Sequence, residues 1–569
     1  MASLGGTRHA CTLCRRRKVK CDGLPTCRNC HAAKTPCRYS PPKKRGPKPV
    51  QSQDNHSGES PATDSSGGPE SPALLSAGGA YSCSASGSPL SSNSRTAGPL
   101  SAPPEGQTQN AVRVHLDLLA GLLVAAPSDT AASIANHCIL LYTQYVFGTV
   151  PMCHEATLRA TVSRFFIPPS GGDDPSENRA FAADNERERI GSLRSYTVLT
   201  ALCAAVTYVL PESVLPTKHH IAPLFLRAAR EMLRIYEDYD LEHPDSSSLI
   251  IRLFLSMAIQ IATGTQGVAF HILNEAGLIA MRMRLYDESS LEGRELIEEN
   301  LLRNAFWQLY VCDKTALVMK ARPVTIHESL FETKLTLKTH SQNSVPLFEV
   351  GQESRGAEIE DRLVEGFHVI RRLWAMAARV IQAMESNTRR TWDAHADAQA
   401  CRENIAELSE AYFEMITLTN NLPTWAQSPG ESSPGVGRDA DQHLFEILRR
   451  HRTSYLITLH CIKVFVLNTA IQCNMTEVMG LSAEPLMLAM KQIELAQDFL
   501  NVLESVPFLH LQAEGEHCAE KIRRVGSVLL ELAHTTENDV VKFRVNQCAM
   551  RLIDMLARLN SKASDVLGL

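Results

Sequence analysis

From about residue 111 onward, apolar residues recur every three or four positions, the spacing that lines one face of a helix. Runs over 133–147, 192–209, 223–237, 248–262, 268–284, 294–319, 358–385, 400–421, 442–470, 483–504, 516–534 and 538–560 follow this pattern and are rich in good helix formers. Pro and Gly punctuate them, as in Pro168-Pro169-Ser170-Gly171-Gly172 and Ser428-Pro429-Gly430. Alternating runs of strand type are nearly absent, and no fixed-period repeat occurs. The pattern predicts a large all-α domain over 111–569. Residues 169–189 are polar and read as an exposed loop.

Upstream the pattern stops. Residues 49–110 are rich in Ser, Gly and Pro and poor in large apolar side chains. Such a composition buries too little surface to offset the entropy of ordering, so it reads as a disordered linker. Residues 41–48, Pro-Pro-Lys-Lys-Arg-Gly-Pro-Lys, form a basic exit from residues 8–40, a stretch dominated by cysteine and basic residues. The expected layout is therefore a small head over 8–40, an exit and linker over 41–110, and an all-helical body over 111–569.

Composition sharpens this division. The chain has 569 residues and a net charge of −5, but residues 1–50 carry +12 and the remainder −17. A basic head on an acidic body implies a polyanionic partner for the head alone. Sixteen cysteines are present, and the ten outside the head are scattered singly. Scattered thiols fit a reducing compartment better than a secreted one. The N-terminus has no apolar signal core, and no run reaches the roughly 18 uninterrupted apolar residues of a membrane span. The expectation is an intracellular protein with no membrane partner.

The six remaining cysteines are Cys11, Cys14, Cys21, Cys27, Cys30 and Cys37, spaced C-x2-C-x6-C-x5-C-x2-C-x6-C. Each half repeats C-x2-C-x6-C. Zinc takes four ligands in a tetrahedron, so two separate sites would need eight thiolates. Six suffice if two are shared. On that reading one zinc takes Cys11, Cys14, Cys21 and Cys27, and the other Cys27, Cys30, Cys37 and Cys11. The bridges are Cys11 and Cys27, the first cysteine of each half. A disulfide knot and a metal-storage peptide fit the paired C-x2-C units and the basic surroundings less well.

Arg15, Arg16, Arg17, Lys18 and Lys20 follow Cys14. A short helix between Cys14 and Cys21 would spread them over its exposed faces and could enter a DNA major groove. Free carbonyls at its C-terminal end would accept from a cytosine amino group, while a cation beside them donates to guanine O6 and N7.

This segment resembles the fungal zinc binuclear cluster family of transcription factors, in which six cysteines hold two zincs. The resemblance implies recognition of CGG-like triplets in double-stranded DNA by the lysine four residues after the second cysteine, here Lys18, with Arg17 before it. Arg15 and Lys20 are the expected phosphate contacts, with Arg28 and Lys34 as further candidates. The resemblance also implies a proline in the loop between halves, here Pro25, after a bond that is often cis in the family. Lys43, Lys44, Arg45 and Lys48 resemble a nuclear-import signal.

The body carries a second resemblance, to the middle homology region of the same family. It opens at residues 137–166 and is clearest over 303–326, from Arg303-Asn304-Ala305-Phe306-Trp307 through Asp313-Lys314 to Arg322-Pro323. Lys314 stands where the family has Arg, and Ala321 where it has Gly. Arg303, Trp307 and Tyr310 share a helix face, and Asp313 is placed to pair with Arg303 or Arg322. The resemblance implies a regulatory body and leaves room for an effector cavity.

No G-x-S-x-G, H-E-x-x-H or P-loop occurs, so no catalytic residue is assigned. Thr263-Gly264-Thr265-Gln266-Gly267 reads as a connection between helices, and the His219-His220 pair as surface. Val112, Leu116, Leu119 and Leu123 fit heptad positions for under two heptads, which leaves monomer and homodimer open. The sequence therefore implies a nuclear transcription regulator, with transcription machinery or co-regulators as further partners. Activation is expected before repression, and an enzyme with an appended zinc module is the alternative class.

Overall fold

The computed structural model describes residues 10–16, 20–22, 24, 26–38, 104–167, 181, 183, 185–340, 345–347, 353–391, 398–420 and 439–559. The chain divides into two units, Met1–Arg95 and Thr96–Leu569. Both are helical, and no strand occurs among the described residues.

In the first unit two five-residue helices, Thr12–Arg16 and Arg28–Ala32, each start directly after the first cysteine of a half. Backbone bonds hold its helices and join residues 12 and 38. Thr12 N donates to Arg38 O (2.8 Å), Arg15 N to Cys11 O (2.9 Å) and His31 N to Cys27 O (2.9 Å).

The second unit begins with the helix Pro104–Ala125, whose first turn lies in the stretch with linker composition. A proline suits a first helical position because its missing N–H would have no partner there. This helix buries Ala111, Val114, Leu118 and Leu122, while the heptad candidates Leu116 and Leu123 face outward. It packs on the helix Lys218–Glu242 at Gly121, where an added Cβ would stand 2.9 Å from Leu224 Cδ2.

The following helices are Ala131–Leu141, extended by a π-turn over Tyr142–Val146, then Glu155–Phe166, Glu186–Val209, Lys218–Glu242, Ser246–Thr263, Gly267–Arg282 and Leu296–Val318. They bury one core, with an aromatic nest of His115, Phe165, Phe166, Phe181 and Tyr196. Burial drives His115 down to about 4, so it packs as a neutral ring. The helices Glu353–Thr391, Ala398–Asn420, Asp439–Gln472, Pro485–Ser505, Phe508–Glu514, Glu516–Thr535 and Asp539–Leu559 build a second core around Trp374, Ile381, Phe465 and Phe499. The all-α expectation holds for the described residues.

Among the described residues three helices, or parts of them, are long and apolar enough to cross a membrane: Glu186–Val209, Ser246–Thr263 and Glu446–Gln472. Their most apolar windows are 83%, 67% and 72% buried against other helices, so core packing accounts for the composition. Buried threonines in the first of them return their hydroxyls to their own helix. Thr197 and Thr207 donate back to the carbonyls four residues earlier (2.7 Å each).

One buried cluster ties three of these helices. Asp240, fully buried, accepts from Arg194 Nη2 (2.7 Å), Arg252 Nη1 (2.6 Å) and Ser248 Oγ (2.7 Å). Arg194 also reaches Asp245 (2.7 Å) and the His243 carbonyl (2.6 Å). Asp245 in turn caps Ser246–Thr263, and Ser248 closes the capping box. At the other end Gly264 adopts φ +66 and stops the helix, and the next starts at Gly267. Thr263–Gly267 is thus a helix connection.

Within Leu296–Val318, Arg303 pairs with Glu288 (2.8 Å) and Glu299 (2.7 Å). Of the two partners offered for Asp313, the fold takes Arg322 (2.6 Å). The other Asp313 oxygen accepts from Thr325 N (2.7 Å) and from Ile326 N, pinning the loop after the helix. Tyr310 and Lys314 converge on Glu328, and Trp307 donates to Lys338 O (2.9 Å). His219 and His220 are exposed, with Glu212 beside His219.

Asp240→Ala removes the shared carboxylate of two buried guanidinium groups, leaving Arg194 to Asp245 and Arg252 to Glu275 (3.3 Å), and should cost about 3 kcal/mol of stability. Glu332→Ala, which breaks the exposed Arg284–Glu332 pair (3.4 Å), should cost no more than about 1 kcal/mol. Urea denaturation distinguishes them. Near-equal losses would remove the Asp240 cluster from its anchoring role.

Candidate metal centre and nucleic-acid interface

A segment this short cannot close around an apolar interior, and what it buries is sulfur. Cys11, Cys14, Cys27 and Cys30 are each no more than 2% exposed, while Cys21 and Cys37 are half-buried at the edge. Leu13 is the other apolar side chain packed there among the described residues.

The sulfur spacing has a specific geometry. Cys11 Sγ lies 3.8 Å from Cys27 Sγ and 3.5 Å from Cys30 Sγ, and Cys14 Sγ lies 3.5 Å from Cys27 Sγ. No pair is bonded as a disulfide. A tetrahedron with metal–sulfur bonds of about 2.3 Å has sulfur–sulfur edges of about 3.8 Å. The four sulfurs therefore fit the edges of thiolate tetrahedra far better than covalent or merely adjacent thiols.

Cys11 and Cys27 each touch a sulfur of the other half, as do Cys14 and Cys30. Cys37 reaches Cys11 and Cys30, and Cys21 reaches Cys27. The four innermost sulfurs, of Cys11, Cys14, Cys27 and Cys30, all lie within 4.8 Å of one another, and Cys21 and Asp22 gather within the same reach of Cys27.

The backbone serves the sulfurs of Cys11 and Cys27. Cys14 N donates to Cys11 Sγ and Cys30 N to Cys27 Sγ, both at 3.4 Å. Each C-x2-C turn thus points an amide at its own first sulfur. Such bonds favour the anionic form, and the Cys14 amide takes the Cys11 thiol down to about 6. Burial pushes Cys14 up to about 12, with the neighbouring Cys11 and Cys27 sulfurs adding to it. A cation placed among the sulfurs would relieve that crowding. Cys37 Sγ also accepts, from Cys27 N at 3.4 Å.

Asp22 is the clamp that spacing did not reveal. Its two oxygens accept from Arg28 N (3.0 Å) and Leu24 N (3.3 Å), which lowers its carboxyl below the usual range. Asn29 Nδ2 donates to Lys20 O (2.8 Å), joining the second helix to the chain before Cys21. A lone acid in a strongly basic stretch was the available signal.

The basic residues surround this centre unevenly. Arg15 is exposed on Thr12–Arg16, and Lys20, Arg28 and Lys34 are exposed. Lys34 has φ +48 at the turn that ends the second helix, where Thr35 N returns to Cys30 O (3.0 Å). The first helix starts at Thr12 rather than after Cys14, because Cys11 rather than Cys14 supplies its first carbonyl. Arg17 and Lys18 lie outside the described residues, as do Pro25 and the import candidates Lys43, Lys44, Arg45 and Lys48.

Residues 9–46 match the family model for the fungal Zn(2)-Cys(6) binuclear cluster domain. An uncharacterised transcriptional regulatory protein of Schizosaccharomyces pombe (strain 972) is 56% identical over 36 residues, covering 6% of this chain and 4% of the relative. A depudecin biosynthesis cluster-specific transcription activator of Fusarium langsethiae is 48% identical over 48 residues, 8% of each chain. The chain thus spans less than a tenth of the length of the curated relatives it matches. The cysteine-rich head is a Zn(2)-Cys(6) binuclear cluster domain, and such a cluster binds two zinc ions.

Proposed function

We propose that the chain is a nuclear, zinc-dependent transcription regulator that binds double-stranded DNA through residues 8–40. The packed sulfur cluster inside a basic segment carries this reading. Zinc supplies the cross-links that give the head a fixed shape, and its six ligands are Cys11, Cys14, Cys21, Cys27, Cys30 and Cys37. With the head rigid, Lys18 reads guanine in a CGG-like triplet, Arg17 stands beside it, and Arg15 and Lys20 contact phosphate. Lys43, Lys44, Arg45 and Lys48 serve nuclear import.

Residues 41–110 tether the head, and the helical body over 111–569 regulates and recruits co-regulators or transcription machinery. The body is read as the family's middle homology region; the Asp313–Arg322 pair and the loop it holds support that reading. The role is activation, in line with the activator named for the Fusarium relative. The chain catalyses no reaction. A homodimer would pair two heads on one DNA site.

The sharing of Cys27 between two ions has a measurable consequence. Cys27→Ala should take the full chain from about two zincs to nearly none, because both tetrahedra lose a corner. Cys37→Ala, which removes a corner from one, should retain roughly one. Retention of two zincs by Cys27→Ala would sink the shared-edge assignment.

Lys18→Ala should remove about 1–3 kcal/mol of discrimination between CGG-containing and scrambled duplexes. Arg15→Ala should weaken binding to both and reduce the salt slope by about 0.9. Competition binding across a salt series reads both. Unchanged discrimination in Lys18→Ala would reject its base-reading role.

A further inference from the structure

A cavity of about 190 Å³ lies inside the second unit, walled mostly by apolar side chains that include Val150, Met257, Phe270, Ile370 and Trp374. For scale, a cavity of about 150 Å³ in another protein accommodates benzene. Two polar groups on this wall lack the partners that burial demands. Lys521 is 7% exposed, and its ammonium donates to one group, Thr458 Oγ1 at 2.8 Å. Among the described residues no carboxylate pairs with it. Gln308 is 8% exposed, and its Oε1 has no hydrogen-bond partner.

The acids near Lys521 are committed elsewhere. Glu514 accepts from Ser454 Oγ (2.9 Å); burial pushes its carboxyl up, and the Lys521 ammonium, near enough to act through its charge but not hydrogen-bonded to it, draws it partly back. Glu520 is held by Arg523 and by Arg524 (2.7 Å). His517, which also lines this wall, is exposed to solvent. Arg322, the other cation lining the cavity, is taken by Asp313. A nearly buried ammonium with one neutral partner is costly unless an anion completes it. An apolar wall with a few convergent polar groups is also the usual make-up of a small-molecule site.

We propose that this cavity binds a small, mainly apolar monocarboxylate, with its carboxylate on Lys521 and its body against Phe270 and Trp374. A ring with one carboxylate matches both the volume and the charge. The site stands apart from the zinc and DNA reading, and its test contains no DNA.

The probe is benzoate, with benzamide as the neutral molecule of the same shape, titrated calorimetrically into the full-length chain. Benzoate should bind saturably and at least about tenfold more tightly than benzamide, a difference of about 1.4 kcal/mol. Lys521→Met, which keeps length and removes charge, should abolish that preference and leave benzamide binding within about twofold. Ala316→Phe, on the cavity wall, should eliminate both by filling the space. In the unaltered chain, benzoate should also raise the thermal midpoint more than benzamide does, a readout that survives if either variant fails to fold. Absence of saturable benzoate binding, equal binding of the two probes, or an undiminished preference in Lys521→Met would each overturn the assignment.

Discussion

A peptide of some thirty residues cannot bury enough apolar surface to fold by that means alone. The head meets this limit by placing sulfur where a larger domain would place leucine. Its four innermost side chains are Cys11, Cys14, Cys27 and Cys30. Everything else in the unit follows from where those sulfurs must stand. The two helices begin directly after Cys11 and Cys27, the C-x2-C amides point back at the same two sulfurs, and Asp22 ties the loop that brings the halves together. Among the described residues the basic side chains Arg15, Lys20, Arg28, Lys34 and Arg38 are exposed, because a core of sulfur has nothing to hold them. Metal binding and the exposure of a cationic surface are one event, since the ions that fix the fold leave arginine and lysine no place but the outside.

The body solves the opposite problem. It has abundant apolar surface, and its difficulty is the polar groups carried inside with it. Threonines on Glu186–Val209 return their hydroxyls to their own helix, at no cost in partners. Arg194 and Arg252 carry a charge that a carbonyl alone does not answer (Arg252 also donates to the Ser248 carbonyl four residues back), and both converge on Asp240, while the same Arg194 reaches the cap of the next helix. A cap, a core arginine and the C-terminal end of Lys218–Glu242 thereby become one unit. Lys521 breaks this rule of mutual satisfaction, since its single partner is a hydroxyl. In a domain that pairs its other buried cations so thoroughly, that exception marks space kept for something else.

The difference between head and body decides how much could be read from sequence. Cysteine spacing is a short-range constraint: three residues set a turn, and a repeated turn sets a pair of sites. Hence the cysteine-rich metal segment was legible before any coordinates, while the sharing of Cys11 and Cys27 between two ions belongs to the proposed reading. Helices with long apolar faces were legible for the same reason, to within a few residues at most ends. Glu155–Phe166 and Phe508–Glu514 were not picked out as helices, the first lying within the 137–166 stretch and the second being too brief for a period to register. Pro104–Ala125 started earlier than its composition implied, because its first turn is polar and carries no apolar period. The Asp240 cluster was out of reach, since Arg194 lies 46 residues away on another helix and no local pattern links them. Asp313 falls between these cases: its need for an arginine was visible, while the choice of Arg322 over Arg303 depended on where the loop turned back and on Glu288 and Glu299 having claimed Arg303.

The charge division gives the proposed function its physical economy. Residues 1–50 hold 13 Lys and Arg against one acid, while the rest of the chain carries −17. Phosphate attracts the first part and repels the second. Attachment through backbone contacts alone therefore draws on a small set of cations, each of which loses hold as salt rises. A larger basic surface would bind any duplex tightly and linger on the wrong ones. With that general attraction kept small, the few contacts to base edges, Lys18 foremost on the proposed reading, decide where the head stays.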